Sequence, residues 1–271
     1  MTVAVAFRKL SITVGLSSVL SILGLALQTA AEATIVRINQ SAFTPAAGLI
    51  TFSEKPLGTQ NPVYLPAEYG GAFGAPIVSF GGIFAGQTVG LPPIPPGAIA
   101  SGVVNGAPNN PLGVVGTPAT FIGNDGANPT SPVLSGSPIF NGPISILFSE
   151  DVAGVGLDGG FFNAIGGTAI KAFDRNGNLL GQVLNEATGI EFLGLVTGDG
   201  ASRIAGLQFS LVGAEPAGFA IDNLRFGTTG QVIPPTEIPT PALLPGLVGM
   251  GLAVLRKRKD EENQATESAE I

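Results

Sequence analysis

The 271-residue chain carries 40 Gly and 22 Pro but only 11% charged residues, a composition of short strands and many turns that is too apolar for a disordered chain. It has no Cys and no His, which excludes disulfide stapling and removes the usual general base, the commonest metal ligand and any Ser-His-Asp arrangement. Between residues 34 and 239 stand six basic and thirteen acidic side chains, so this region repels nucleic acid and anionic lipid, and neither is expected as a partner.

Arg8 and Lys9 precede an apolar run, residues 10–27, and then Ala31-Glu32-Ala33, an A-x-A cleavage pattern. This predicts a signal segment over 1–33, cleaved after Ala33 to leave Thr34 first. The alternative is a retained membrane helix, since the run is close to spanning length. With both ends set aside, about 200 residues remain, room for one domain over 34–229. Short apolar or alternating stretches bounded by Gly, Pro, Asn or Asp predict strands at 34–39, 49–53, 76–80, 143–149, 168–173, 178–184, 190–197, 204–212 and 218–226. That is the pattern of an all-β sandwich or barrel. Residues 81–138, with Leu91-Pro-Pro-Ile-Pro-Pro96 and Asn109-Asn-Pro111, read as long loops or an irregular insertion, because Pro and Gly weaken ladders. A linker between two domains is the alternative, but the segment before it is too short to bury a core alone. Asn176-Gly177 supplies the positive φ angles of a type I′ turn and predicts a hairpin between 168–173 and 178–184. The Pro-rich stretch 230–241 reads as a semi-extended spacer.

At the C-terminal end, Pro239-Thr240-Pro241-Ala242 leads into an apolar stretch ending at Leu255, then Arg256-Lys257-Arg258-Lys259 and an acidic tail over 260–271. As a helix, residues 242–255 reach roughly 21 Å, short of a hydrocarbon core of about 30 Å. Spanning therefore needs bilayer thinning or snorkelling of the basic side chains. The basic cluster is expected to stay cytoplasmic, as are Arg8 and Lys9, which places the domain outside. The order of proline motif, apolar segment and basic cluster over 238–259 resembles a PEP-CTERM sorting signal, and Pro239-Thr240-Pro241-Ala242 is similar to the PTPA variant of cyanobacterial-type proteins. The resemblance implies recognition by an exosortase-type membrane transpeptidase, processing near the proline motif, and export into an envelope or exopolysaccharide matrix. The sequence departs from the family in lacking the motif's Glu and in running on into the acidic tail. A plain single-pass anchor predicts the same topology.

Residues from 143 onward, above all Gly218-Phe-Ala-Ile-Asp-Asn-Leu-Arg-Phe-Gly227, are similar to the closing strands of jelly-roll sandwiches related to carbohydrate-binding modules. That resemblance implies a jelly-roll-like β-sandwich, sugar or polymer binding, and in some cases a structural calcium ion.

Strict alternation over 218–226 puts Ala220, Asp222, Leu224 and Phe226 on one face and Phe219, Ile221, Asn223 and Arg225 on the other. An unpaired carboxylate among apolar neighbours is costly, so Asp222 needs a partner. Calcium held with backbone carbonyls is one reading, and hydrogen bonds to turn amides or pairing with an Arg is the other. Asp174-Arg-Asn176-Gly-Asn178 opens like an EF-hand loop, but Leu179 and Asn185 stand where that loop needs Gly and Glu, so it reads as a turn. Adjacent Glu150 and Asp151 point to opposite faces of a strand, unlike a glycosidase pair flanking one bond, and nothing around Glu186 and Glu191 marks an acid. Catalysis is not expected. Tyr64 and Tyr69 lie in a predicted loop and are the first choice for stacking on a sugar ring, while Phe73, Phe80 and Phe84 read as core. The expected function is a non-catalytic, exported surface or matrix protein that binds polysaccharide. A structural envelope protein without a ligand site is the rival, and a hydrolase a more distant third.

Overall fold

The computed structural model describes residues 34–126, 132–216 and 219–235. The signal segment with Ala31 and Ala33, the Pro239-Thr240-Pro241-Ala242 motif, the cluster Arg256, Lys257, Arg258 and Lys259, and the acidic tail lie outside the described residues. Among the described residues, no helix is long and apolar enough to cross a membrane.

The chain first forms β1 (Ile35–Arg37), β2 (Gly48–Ile50), β3 (Val63–Tyr64), β4 (Val78–Gly81), β5 (Ile83–Phe84), β6 (Thr88–Val89), β7 (Val104–Asn105), β8 (Val114–Val115) and β9 (Thr120–Asn124). It continues with β10 (Pro132–Gly136), β11 (Ile144–Val152), β12 (Gly154–Phe162), β13 (Thr168–Phe173), β14 (Leu179–Leu184), β15 (Gly189–Thr197), β16 (Ile204–Leu211) and β17 (Ala220–Gly227). Two antiparallel sheets pack face to face as a sandwich. The first runs β1-β15-β12-β17-β10-β9, with β2 also paired to β17, and the second runs β14-β13-β16-β11-β4-β3. Two small two-stranded sheets, β5-β8 and β6-β7, belong to the Pro/Gly-rich segment.

Period-two alternation explains the core. Ile170 and Ala172 of β13, Leu207 and Phe209 of β16, and Leu193 and Leu195 of β15 all point between the sheets, where Phe148, Phe162, Phe219 and Phe226 join them. Each fully buried side chain of this size contributes about 1.5–3 kcal/mol, which lets a domain without disulfides hold itself together. The other face of the second sheet is covered too. All eight residues of β16 are buried, because the segment between β4 and β9 folds back over that sheet and packs Phe84 and Leu112 against Phe173 and Ala205.

Where the structure departs from the sequence-based expectation, the reason is local. The hairpin between β13 and β14 forms, but only Gly177 has positive φ, at 83°, and the Gly177 N–H donates to the Asp174 carbonyl at 3.1 Å. This is a type I turn closed by a left-handed glycine, not the expected type I′ turn. The Asp174 carboxylate accepts hydrogen bonds from the Asn176 and Asn178 backbone N–H groups and so closes the turn. β12 has no counterpart among the expected strands, because its Gly-Val-Gly-Leu-Asp-Gly-Gly run looks like a loop. Those glycines admit neighbouring rings: a Cβ at Gly159 would lie 2.8 Å from Phe162 Cζ. β9 and β10, inside the expected insertion, extend the first sheet. The start of the expected spacer is also part of the body, since Val232 is buried with Ile38 and Val196 and the Ile233 N–H donates to the Ala42 carbonyl at 2.9 Å.

Candidate functional site

Polar chemistry collects on the outer face of the second sheet. Register aligns Gln182 with Lys171, Lys171 with Gln208, and Gln208 with Ser145, a straight row across β14, β13, β16 and β11. Neighbouring members of such a row lie about 5 Å apart, so the row is a continuous band of hydrogen-bonding groups. Gln87, from the overlying segment, fixes one end of it. The Gln208 side-chain amide donates to Gln87 Oε1 at 2.6 Å and to Ser145 Oγ at 3.1 Å, while the Phe84 N–H donates to Gln87 Oε1 at 3.0 Å. Both glutamines are buried, and a buried amide held by several partners keeps one orientation.

Glycine lets the cover approach. A Cβ at Gly206 would lie 2.8 Å from Leu112 Cδ2 and from Phe84 Cζ. Beside this contact the cover stands off the sheet and leaves a cleft of about 350 Å³. Val104 and Pro108 form one wall, Phe173 and Leu179 the other, and Lys171, Gln182 and Gln208 are the sheet's polar contribution. Apolar walls with a few fixed polar groups are the general build of a small-molecule site.

Lys171 is the one ionisable residue lining this cleft, and among the described residues it forms no ion pair. Burial pushes its ammonium below the ordinary lysine range because desolvation disfavours the charged form. The unfolded chain therefore holds this proton to higher pH than the folded chain does. Stability contributed by this site rises with pH between the lowered folded value and the ordinary lysine value of 10.5. Urea unfolding of the parent and of Lys171→Met across pH 8 to 10.5 checks this: the parent is expected to gain stability relative to the variant as pH rises.

The residues singled out in the sequence fall elsewhere. Tyr64 is a correction: it is fully buried, with its ring edge-on to Phe52 at 6.2 Å and to Phe80 at 5.9 Å. β3 pairs with β4 at that point and turns the side chain inward, so no face is left for a sugar. Tyr69 is half-buried. Its hydroxyl donates to the Pro76 carbonyl, its ring meets Phe226 edge-on at 5.1 Å, and burial pushes its phenol up to about 12. It lines a separate cleft of about 180 Å³ beside the loop that carries Phe73. Phe80 and Phe84 are core as expected, but Phe73 is fully exposed.

Asp222 also differs from expectation. Asn223 adopts a left-handed conformation, φ 48°, at a bulge where β17 gains a residue relative to β12. The bulge resets the alternation, so Ile221 and Leu224 both enter the core and Asp222 turns to the outer face of the first sheet, opposite Asp158. Asn223 bridges the two acids: its backbone N–H donates to Asp222 Oδ1 at 2.7 Å and its side-chain amide to Asp158 Oδ2 at 2.8 Å. Among the described residues no group of three acidic side chains is arranged to hold a metal ion. Asn223→Gly keeps the backbone conformation and removes the side-chain donor, and it is expected to lower stability by about 1–2 kcal/mol, measured by urea unfolding.

Three of the remaining acids, Asp151, Glu186 and Glu191, are tied into the scaffold. Arg37 pairs with Glu186 and with Glu191, each at 3.3 Å, and Asp151 pairs with Arg175. The sequence reading missed Lys171, Gln182 and Gln208. A signal was present, since a Lys inside Thr-Ala-Ile-Lys-Ala-Phe and a Gln inside Ile-Ala-Gly-Leu-Gln-Phe-Ser-Leu interrupt apolar strands, but only the register shows that they share a row. A scan against protein-family models finds none that matches the chain, and a search of curated proteins finds no match.

Proposed function

We propose that this is an exported, non-catalytic protein of the cell surface or extracellular matrix whose domain binds polysaccharide in the cleft over the second sheet. The observation that carries the reading is the row Gln182-Lys171-Gln208-Ser145 beneath a partial cover. The exposed amide of Gln182 suits a sugar hydroxyl, and the exposed Leu179 side chain suits the apolar face of a pyranose. The strand order supports a jelly-roll reading. Strands β10 to β17 divide between the sheets in the orders β10-β17-β12-β15 and β11-β16-β13-β14, the order of two interleaved Greek keys.

Export rests on the terminal segments. In this reading the signal ends at Ala33, and an exosortase-type transpeptidase processes a membrane-anchored precursor near Pro239. Peptide mapping of the protein from its host is expected to find a mature species that starts at Thr34 and lacks Arg256 to Lys259. A membrane species keeping those residues would leave an anchored surface domain instead.

Affinity electrophoresis in gels containing a panel of polysaccharides tests binding. Retardation by at least one sugar polymer, relieved by Gln182→Ala, is the expected result. No retardation by any polymer favours the structural envelope protein. The exposed Phe73 beside Tyr69 supports a second contact point for a polymer. Phe73→Ala is expected to leave stability unchanged and to weaken retardation if the chain reaches that loop.

A further inference from the structure

The cleft holds one cation and no anion. Lys171 sits on the central part of β13 with an amide on each side in register, Gln182 and Gln208, and every other residue lining the cleft is uncharged. A buried or half-buried ammonium is normally paired, yet Lys171 has no carboxylate partner among the described residues. The acids nearest in sequence are engaged elsewhere: Asp174 caps its own turn, Asp158 accepts from Asn223 and Glu186 pairs with Arg37. An apolar residue would be the more stable choice at this place, since it would avoid the desolvation of a charge. The missing counter-charge is therefore expected from outside the chain.

We propose that Lys171 selects sugars bearing an anionic substituent, a uronate carboxylate or a sulfate ester, with the exposed Gln182 beside it taking a neighbouring ring hydroxyl. This specificity rests on the cleft being the polysaccharide site. The surrounding chain sharpens it. The domain is strongly acidic, so its field repels polyanions at long range, and at physiological salt that repulsion fades beyond about 8 Å. Only a polymer that places its anionic group within the cleft gains from Lys171, and a polyanion that merely coats the surface does not.

The test is affinity electrophoresis of the full chain against polygalacturonate, its methyl ester, dextran sulfate, unmodified dextran and double-stranded DNA, repeated with Lys171→Met and Lys171→Arg. Losing a hydrogen bond to a charged group weakens binding by about 10- to 100-fold. Lys171→Met is expected to reduce retention on an acidic glycan by that factor, and Lys171→Arg is expected to restore most of it. Retention on polygalacturonate but not on its methyl ester assigns the carboxylate, and retention on dextran sulfate but not on dextran assigns the sulfate ester. Equal retention on charged and uncharged forms, unaffected by Lys171→Met, overturns the selectivity while leaving polysaccharide binding in place. Retention on DNA as strong as on the acidic glycans reduces the effect to simple ion exchange and overturns it. No retention on any glycan overturns both readings.

Discussion

Replacing Tyr64 by alanine is expected to lower the stability of the domain by about 3–5 kcal/mol, whereas Tyr64→Phe leaves it unchanged or raises it. The ring has no solvent exposure and stands at the centre of an edge-to-face cluster with Phe52 and Phe80, which are themselves 5.6 Å apart. Alanine would leave a cavity between the Phe52 and Phe80 rings, beside strands β3 and β4 that are already paired, and such a site collapses poorly. The hydroxyl behaves differently from the ring. It is buried with no hydrogen-bond partner among the described residues, and burial pushes the phenol above its ordinary range, with Glu54 and Glu68 adding to the shift. Removing that oxygen removes an uncompensated desolvation cost of about 1–3 kcal/mol. Urea unfolding of both variants reads the difference. A Tyr64→Ala protein that stays fully stable while losing sugar retention would return Tyr64 to the surface role expected from the sequence.

The second large effect concerns the cover over the second sheet. Gly81→Val is expected to cost about 3 kcal/mol or more and to abolish retention on polysaccharide. A Cβ at Gly81 would collide with the Val115 carbonyl oxygen and lie 2.7 Å from Val114 Cγ2. Gly81 ends β4 and Val115 belongs to β8, so a Cβ placed by one strand's backbone meets a carbonyl of the other's, and no side-chain rotation relieves it. The cover would have to lift, separating Phe84 from Phe173, whose rings meet edge-on at 5.5 Å, and pulling Gln87 from Gln208. Hydrogen exchange should show loss of protection across residues 83–115 while β12, β15 and β17 keep theirs. Uniform loss of protection in both sheets would mean that the cover is inseparable from the core.

Much of the sandwich was legible because its strands alternate. The expected strands at 168–173 and 204–212 coincide with β13 and β16 to within a residue, since apolar side chains alternate there and turn residues flank them. β12 was hidden because its glycines make room for rings from other strands, information that only the packing holds. The face of Asp222 was misread because one left-handed residue, Asn223, shifts the alternation by one, and Asn is among the few residues that adopt that conformation readily. Tyr64 was misread because a two-residue strand is too short to show a period. The cleft was hardest to foresee: Lys171 and Gln208 are 37 positions apart in the sequence and Gln87 is farther still, and pairing in register is what makes them one site.

Polysaccharide is proposed to occupy the cleft over the second sheet. The most direct measurement is an NMR titration of the isotopically labelled protein with the polymer it retains, following backbone and side-chain amides. Binding there predicts the largest shifts at Lys171, at the side-chain amide of Gln182, and along residues 104–108. Shifts confined to Tyr69 and the loop around Phe73, or to the outer face of the first sheet at Asp158 and Asp222, would contradict it.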